Sequence, residues 1–150
     1  MGVVKLKRGE KCGVCGNRYL RNIAVDGLAV SDGKVLIIKR GNEPDRGKWA
    51  LPGGLLDWDE DAEEAVLREF SEETGLSGRV GKFLGVYSDP RRDTLQGVTV
   101  VYEVLITGGV LRSGDDARDA KWVAFNKLPL LAFDHCAIIA DYRKVSKHLH

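Results

Sequence analysis

Short apolar blocks separated by polar or glycine-rich turns run along most of this chain. Residues 22–30 and 35–40 flank Ser31-Asp32-Gly33-Lys34, and two apolar runs around an Asp-Gly turn predict a β-hairpin. We expect further strands at 49–52, 79–87, 97–106 and 121–125, and the β-branched run 97–106 is the strongest strand signal of the chain.

Two segments have helical spacing of apolar residues instead. The first lies within residues 54–76, where Asp59 is a candidate N-cap and Gly75 stands where a glycine ends a helix. The second is predicted at 131–147, with Asp134 as a candidate N-cap. Strands arranged around two helices predict a mixed α/β sandwich.

The first predicted helix carries a cluster of carboxylates. At about 100° per residue, Glu72 and Glu73 fall roughly 60° and 40° to either side of Glu69, so the three share one face. A solvated acidic face is the ordinary interpretation, although grouped like charges cost a helix stability. Oxygen ligands on one face also suit Mg²⁺ or Mn²⁺, and Arg68 can hold Glu69 by hydrogen bonds.

The spacing around these carboxylates extends over the whole segment. Gly54 is followed after five residues by Glu60, and after seven more by Arg68-Glu69-Phe70-Ser71-Glu72-Glu73-Thr74-Gly75-Leu76. Every specified position resembles the Nudix box, Gly-x5-Glu-x7-Arg-Glu-apolar-x-Glu-Glu-x-Gly-apolar. Asp57 and Asp59 depart from it at two optional positions, where Glu and Gly are frequent.

The resemblance implies a Nudix-type α/β/α sandwich with a mixed central sheet. It also implies a metal site for Mg²⁺ or Mn²⁺, formed by the side chains of Glu69, Glu72 and Glu73 with the Gly54 carbonyl. Arg68, Glu69, Glu72 and Glu60 are the implied catalytic group, in which Glu60 is a supporting carboxylate near the site.

Nudix enzymes typically hydrolyse a nucleoside diphosphate linked to another group, X. The expected reaction is attack of a metal-activated water on a pyrophosphate phosphorus, with a carboxylate taking the proton. The general base is either a box glutamate or a carboxylate of another loop, such as Asp115 or Asp116. Glu103 is a further candidate neighbour of the metal.

Four fragments outside the box bear on the nature of X. They resemble segments of the short ADP-ribose pyrophosphatases of archaea and bacteria, and read KRGNEPDRGKWALPGG, YSDPRRD, GDDARDAKW and LAFDH. ADP-ribose is therefore the expected substrate, with AMP and ribose 5-phosphate as products. Arg91, Arg92 and Asp93 are candidate substrate-binding residues, and the alternative is a solvated loop.

Two other functions stay open. An enzyme of this family can instead remove an oxidised nucleotide such as 8-oxo-dGTP, and a Nudix fold can serve as a non-catalytic nucleotide sensor. Sensors often lose box glutamates, whereas all are present here.

The composition narrows the class of protein. A chain of 150 residues with 43% hydrophobic residues favours one Nudix domain, at 21–150, preceded by a basic arm at 1–20. The net charge of +1 points to neither nucleic acid nor an anionic membrane as partner, and a small-molecule nucleotide substrate is what the Nudix resemblance implies. Neither a membrane span nor a signal peptide is apparent.

The arm contains half of a zinc knuckle. Cys12 and Cys15 have the spacing of one ligand pair, but a structural zinc site needs four ligands, so we expect no zinc in the monomer. A zinc ion shared across a homodimer stays open. With Cys136 the cysteine count is three, and an odd number argues against a secreted disulfide framework and favours a cytoplasmic protein.

Overall fold

The computed structural model describes residues 7–112 and 119–148. Within them, the helices are α1 (Ala62–Thr74), α2 (His135–Lys147) and a short 3-10 helix (Phe125–Lys127). The strands are β1 (Ile23–Leu28), β2 (Val30–Ser31), β3 (Lys34–Lys39), β4 (Trp49–Ala50), β5 (Gly53–Leu55), β6 (Leu76–Tyr87), β7 (Val98–Gly109) and β8 (Ala120–Ala124). Over the described ranges, no helix has the length and apolar character needed to cross a membrane.

The strands form two sheets. One has the order β5-β1-β7-β6 and is mixed, because β1 and β7 run parallel while β5 and β6 are antiparallel to their neighbours. In the other, β3 pairs with β2, β4 and β8, all antiparallel. The predicted hairpin at the Asp-Gly turn is the β2–β3 pair.

The two helices cover different cores, which are separated by the strands. Successive side chains of a strand point to opposite faces, and in β3 Leu36 and Ile38 join one buried cluster while Val35 and Ile37 join another. The first cluster contains Val66 and Phe70 of α1, and the second contains Ile138 and Ile139 of α2. This layering confirms the predicted α/β/α sandwich with a mixed sheet.

Helix α1 begins later than predicted. Its N-cap is Asp61, whose Oδ1 accepts from the Glu64 N–H at 2.9 Å, while Glu64 Oε2 accepts from the Asp61 N–H at 3.0 Å. The prediction of Asp59 as N-cap is wrong, because Asp59 has a left-handed backbone (φ 61°) in the preceding turn. The glutamate three residues after Asp61 completes a capping box, which Asp59 lacks.

Helix α2 also begins later than predicted, at His135 instead of residue 131. Leu131 is bridged to Trp49 of β4 in strand fashion, and Phe133 has a left-handed backbone (φ 53°). Asp134 is the N-cap by position, but its side chain makes no capping bond. Tertiary contacts therefore hold residues 131–134, the first residues of the predicted helix, in a loop.

The described part of the N-terminal arm is an exposed hairpin closed by a bridge between Lys11 and Arg18. Its turn contains the cysteine pair, and the Gly16 N–H donates to the Cys12 carbonyl at 3.0 Å. A hydrogen bond from the Cys15 backbone N–H lowers the pKa of the Cys12 thiol. In residues 7–112 and 119–148, no group of three or more Cys, His, Asp or Glu side chains could hold a metal ion.

Candidate active site

Arg68 ties together the carboxylates of the box. Its Nε and Nη2 donate to the two oxygens of Glu60 at 2.9 and 2.6 Å. Its Nη1 donates to Glu69 at 2.9 Å and lies 3.4 Å from Glu72. One guanidinium thus compensates three carboxylates, and the bidentate pairing with Glu60 restricts its orientation.

The same contacts shift the protonation of Glu60. The hydrogen bonds from Arg68 and, secondarily, from the Asp57 N–H lower the pKa of Glu60 from 4.5 to about 2. Glu60 in turn raises the pKa of Arg68. Glu60 is therefore an ionised carboxylate at neutral pH that fixes Arg68, in keeping with a supporting role.

The glycine pair before the box lets a strand approach the helix closely. Gly53 and Gly54 lie in β5, opposite Asp26 and Val25 of β1. A Cβ on Gly54 would overlap the carboxylate of Glu69, and one on Gly53 would overlap the Asp26 side chain and the Val25 carbonyl. The approach also lets the Gly53 N–H donate to Glu73 Oε2 at 3.0 Å.

Glu69, Glu72, Glu73 and Gly54 line one cleft of about 530 Å³. Their donor set, three carboxylates and a backbone carbonyl, suits a hard divalent ion. The three carboxylates do not converge on one point in the described structure, where Glu69 contacts Arg68 and Glu73 contacts Gly53. Ion binding therefore requires side-chain rotation, for which Glu72 has room because its side chain is 55% exposed.

A buried polar cluster lies beside this wall, and two of its members, Asp26 and His135, also line the cleft. His135 is 2% exposed, and its Nδ1 accepts from the Leu51 N–H at 3.0 Å. Since Nδ1 accepts, the ring proton belongs on Nε2, which faces Asp26 Oδ2 at 3.5 Å. The same oxygen accepts from the Thr99 hydroxyl at 2.6 Å. The cluster holds both ends of the Leu51–Gly53 segment.

Sequence reasoning did not single out Asp26 or Thr99. A charged residue within the apolar run Ile23–Leu28 was the available signal. An aspartate buried in a strand needs polar partners, and here Thr99 and His135 supply them.

Of the three predicted substrate-binding residues in the loop 88–97, two line the cleft and one does not. Arg92 and Asp93 line the cleft, whereas Arg91 has an 89% exposed side chain away from the lining and pairs with Asp89. Arg92 is buried and donates to both oxygens of Asp134 at 3.1 and 2.8 Å, and to Asp93 at 3.1 Å. Two carboxylates therefore neutralise the charge of Arg92.

One other carboxylate considered from the sequence lies in the described part of the chain, outside this cleft. Glu103 lies 3.4 Å from the hydroxyl of Tyr142 and is absent from the lining. Asp115 and Asp116, the predicted alternatives for the base, lie outside the described residues.

Comparisons with known proteins agree with this geometry. The family model described as "NUDIX domain" matches residues 20–142. An ADP-ribose pyrophosphatase of Methanocaldococcus jannaschii is 50% identical over 123 residues, which cover 81% of this chain and 73% of the relative. A putative 8-oxo-dGTP diphosphatase of Bacillus subtilis is 38% identical, over 65% of this chain and 62% of the relative.

Among solved structures, the NUDIX domain of Shewanella oneidensis NrtR in complex with ADP ribose is similar to this chain. The TM-score is 0.69 and the identity 32%, over 83% of this chain and 87% of that domain. The matched family model spans both the carboxylate-bearing face of α1 and the glycine pair of β5. This chain belongs to the NUDIX family.

Proposed function

We propose that this protein hydrolyses a nucleoside diphosphate linked to X in a divalent-metal-dependent reaction, and that ADP-ribose is its substrate. The observation that carries the proposal is that Glu69, Glu72, Glu73 and the Gly54 backbone line the same cleft. The choice of ADP-ribose is supported by the M. jannaschii relative and by the ADP-ribose complex of the NrtR domain. The products are then AMP and ribose 5-phosphate.

The metal ligands are Glu69, Glu72, Glu73 and the Gly54 carbonyl, and their hardness favours Mg²⁺ or Mn²⁺. A bound divalent ion would lower the pKa of a water and neutralise charge on the pyrophosphate. Arg68 orients Glu69, and the Gly53 N–H orients Glu73. The proton of the attacking water passes to a carboxylate, for which the exposed and rotatable Glu72 is the described candidate.

The wall opposite α1 bounds the X subsite. Asp93 accepts from the N–H groups of Leu95 and Gly97, at 2.7 and 3.4 Å, and from Arg92. The salt-bridged pair of Arg92 and Asp93 keeps the loop rigid, so that this wall presents a fixed shape to the terminal ribose.

A substrate panel tests the proposal. With Mg²⁺ present, kcat/KM for ADP-ribose should exceed that for NADH, ADP-glucose and 8-oxo-dGTP by at least about tenfold, because buried polar groups of the X subsite stay unpaired with the wrong substrate. Chromatography should identify AMP and ribose 5-phosphate. Binding of ADP-ribose without turnover, in the presence of either metal, would support the sensor function instead.

Removal of 8-oxo-dGTP is the second candidate function. It is favoured by the 38% identity to the putative 8-oxo-dGTP diphosphatase of B. subtilis. The same panel decides between the two, since a higher kcat/KM for 8-oxo-dGTP than for ADP-ribose would replace the first function with this one.

A further inference from the structure

Arg40 is a cationic residue of the cleft that sequence reasoning did not select. It follows β3 directly, and its backbone is fixed on both sides, by the Lys48 carbonyl at 2.8 Å and the Gly47 N–H at 2.9 Å. Its side chain is half-buried and lines the same cleft as the box glutamates. The loop 41–47 thus holds this arginine at the edge of the cleft.

Two contacts orient the guanidinium of Arg40. Its Nε donates to the Pro44 carbonyl at 2.8 Å. Its Cζ lies 4.6 Å from the centre of the Phe133 ring, a cation–π contact that holds the guanidinium over the aromatic face. Such a side chain loses little conformational entropy when it binds a ligand, because its geometry is already restricted.

Neither contact neutralises the charge of Arg40. Among the described residues, no carboxylate lies within salt-bridge distance of it, and its Nη1 and Nη2 donate to none of them. Asp45, whose pKa Arg40 lowers weakly from a distance, is paired with Lys48 at 2.9 Å. Arg92, which lies 5.8 Å from the same Phe133 ring, is by contrast saturated by Asp93 and Asp134.

The remaining donors of Arg40 match one kind of ligand. A guanidinium with both terminal nitrogens unused presents a fork that binds a phosphate through two parallel hydrogen bonds. A neutral sugar or base would leave its charge uncompensated in a half-buried position, which is costly. The cleft therefore favours an anionic group at this point.

We propose that Arg40 binds a phosphate of the substrate, because no described carboxylate neutralises its charge, whereas Arg91 and Arg92 are both paired with carboxylates. This inference rests on the proposed function insofar as the ligand is a phosphorylated nucleoside or sugar. The phosphate belongs either to the nucleoside half or to the sugar half of the substrate. AMP and ribose 5-phosphate therefore serve as separate probes for the two sources.

Binding in EDTA tests the assignment without turnover. We would titrate AMP, ribose 5-phosphate and adenosine calorimetrically into the wild type, Arg40→Gln and Arg40→Lys. Arg40→Gln should weaken the affinity for AMP, for ribose 5-phosphate or for both by about tenfold or more. The affinity for adenosine should change by less than about twofold. Arg40→Lys should restore part of the affinity, since it keeps the charge but loses the fork.

Arg143→Gln is the matched control. Arg143 stacks on Phe125 at 4.9 Å and lies outside the cleft lining, so its loss removes a cation–π contact of the same type without touching the site. This variant should bind all three probes like the wild type. The inference is overturned if Arg40→Gln binds AMP and ribose 5-phosphate with wild-type affinity, or if its affinity for adenosine falls as much as its affinity for the phosphates. It is also overturned if the wild type binds neither AMP nor ribose 5-phosphate in EDTA.

The test is separable from the test of function. If phosphate binding depends on Arg40 but ADP-ribose is not hydrolysed in Mg²⁺ or Mn²⁺, the inference stands and the proposed function fails. If ADP-ribose is hydrolysed with unchanged phosphate affinity in Arg40→Gln, the function stands and the inference fails.

Discussion

Arg68 makes an otherwise unfavourable cluster of charges compatible with a stable helix. Like charges one turn apart destabilise a helix, yet Glu69 and Glu72 of α1 both lie within salt-bridge distance of Arg68. Glu60, from the preceding turn, holds the other edge of the same guanidinium. Without a metal, this one cation keeps the carboxylates in place, and a bound ion would add to that compensation.

Replacing Glu72 with Gln separates catalysis from stability. The side chain of Glu72 is 55% exposed and its contact with Arg68 is 3.4 Å long, so its loss should change the melting temperature little. Turnover of ADP-ribose should nevertheless fall by at least roughly 10²-fold, equivalent to about 2.7 kcal/mol of barrier. Steady-state kinetics and thermal unfolding measure the two effects, and near-normal turnover would refute the role of Glu72.

The pair of Glu60 and Arg68 predicts a pH-dependent contribution to stability. The pKa of Glu60 is about 2 in the folded protein and 4.5 ordinarily, so the ionised pair stabilises the folded state above the higher value. This contribution is lost as the pH falls from about 4.5 towards 2. The gap in unfolding free energy between wild type and Glu60→Gln should therefore narrow across that range.

Urea unfolding at about pH 7, 4 and 3 measures the gap. Glu63→Gln, an exposed substitution in the first turn of α1, is the control. A gap for Glu60→Gln that is constant with pH would show that the pair contributes no charge-dependent stability.

At the scale of elements, the site depends on two chain segments meeting at close range. The capping box at Asp61 determines where α1 begins, and thus which residues of the turn stay outside the helix. Strand β5 pairs with β1 and brings Gly53 and Gly54 against Glu73 and Glu69. The sequence predicted no strand at Gly53–Leu55, because three residues without side-chain patterning do not signal one.

Replacing Asp61 with Ala should lower the free energy of unfolding by about 1 kcal/mol, since the cap accepts the otherwise unpaired N–H of Glu64. For a domain of this size, that corresponds to a fall in melting temperature of about 2–4 °C. Asp59→Gly should stay within about 0.5 kcal/mol of wild type, since its backbone is left-handed and glycine adopts that conformation readily. Equal losses in the two variants would contradict the assignment of the cap.

At the scale of the whole molecule, the cleft is built by both cores at once. Helix α1 supplies the wall that carries Glu69, Glu72 and Glu73, while the residues before and at the start of α2 supply Phe133 and His135. Arg92 and Arg40 approach Phe133 from different loops. The opposite walls are therefore positioned by the packing of the sandwich.

The described part of the N-terminal arm, residues 7–20, contributes no residue to the cleft lining. The cysteines of the arm lead to a separate prediction. Two thiols cannot close a four-coordinate zinc site. Elemental analysis of the purified monomer should thus find no stoichiometric zinc, and Cys12→Ser should hydrolyse substrate like the control Cys136→Ser. One tightly bound zinc per chain would overturn this prediction, and half an equivalent in a dimer would indicate an ion shared between two copies.

What the sequence determined by itself is local. The spacing that places three glutamates on one face, the glycine that ends α1 and the Asp-Gly turn all act over a few residues, where helical or strand periodicity dictates geometry. Periodicity also predicted a mixed α/β sandwich, and the resemblance to the Nudix box implied its α/β/α layers.

Only the tertiary structure decided which cations of the cleft are neutralised. Arg92 is paired with Asp134, 42 residues away, and the Asp26 carboxylate is paired with Thr99, 73 residues away. Nothing in the local pattern distinguishes Arg92 from Arg40, because both are arginines at the end of a loop or strand. Whether the charge of an arginine is neutralised depends on which distant carboxylates lie within hydrogen-bond distance of it. The packing of the folded chain decides which carboxylates those are.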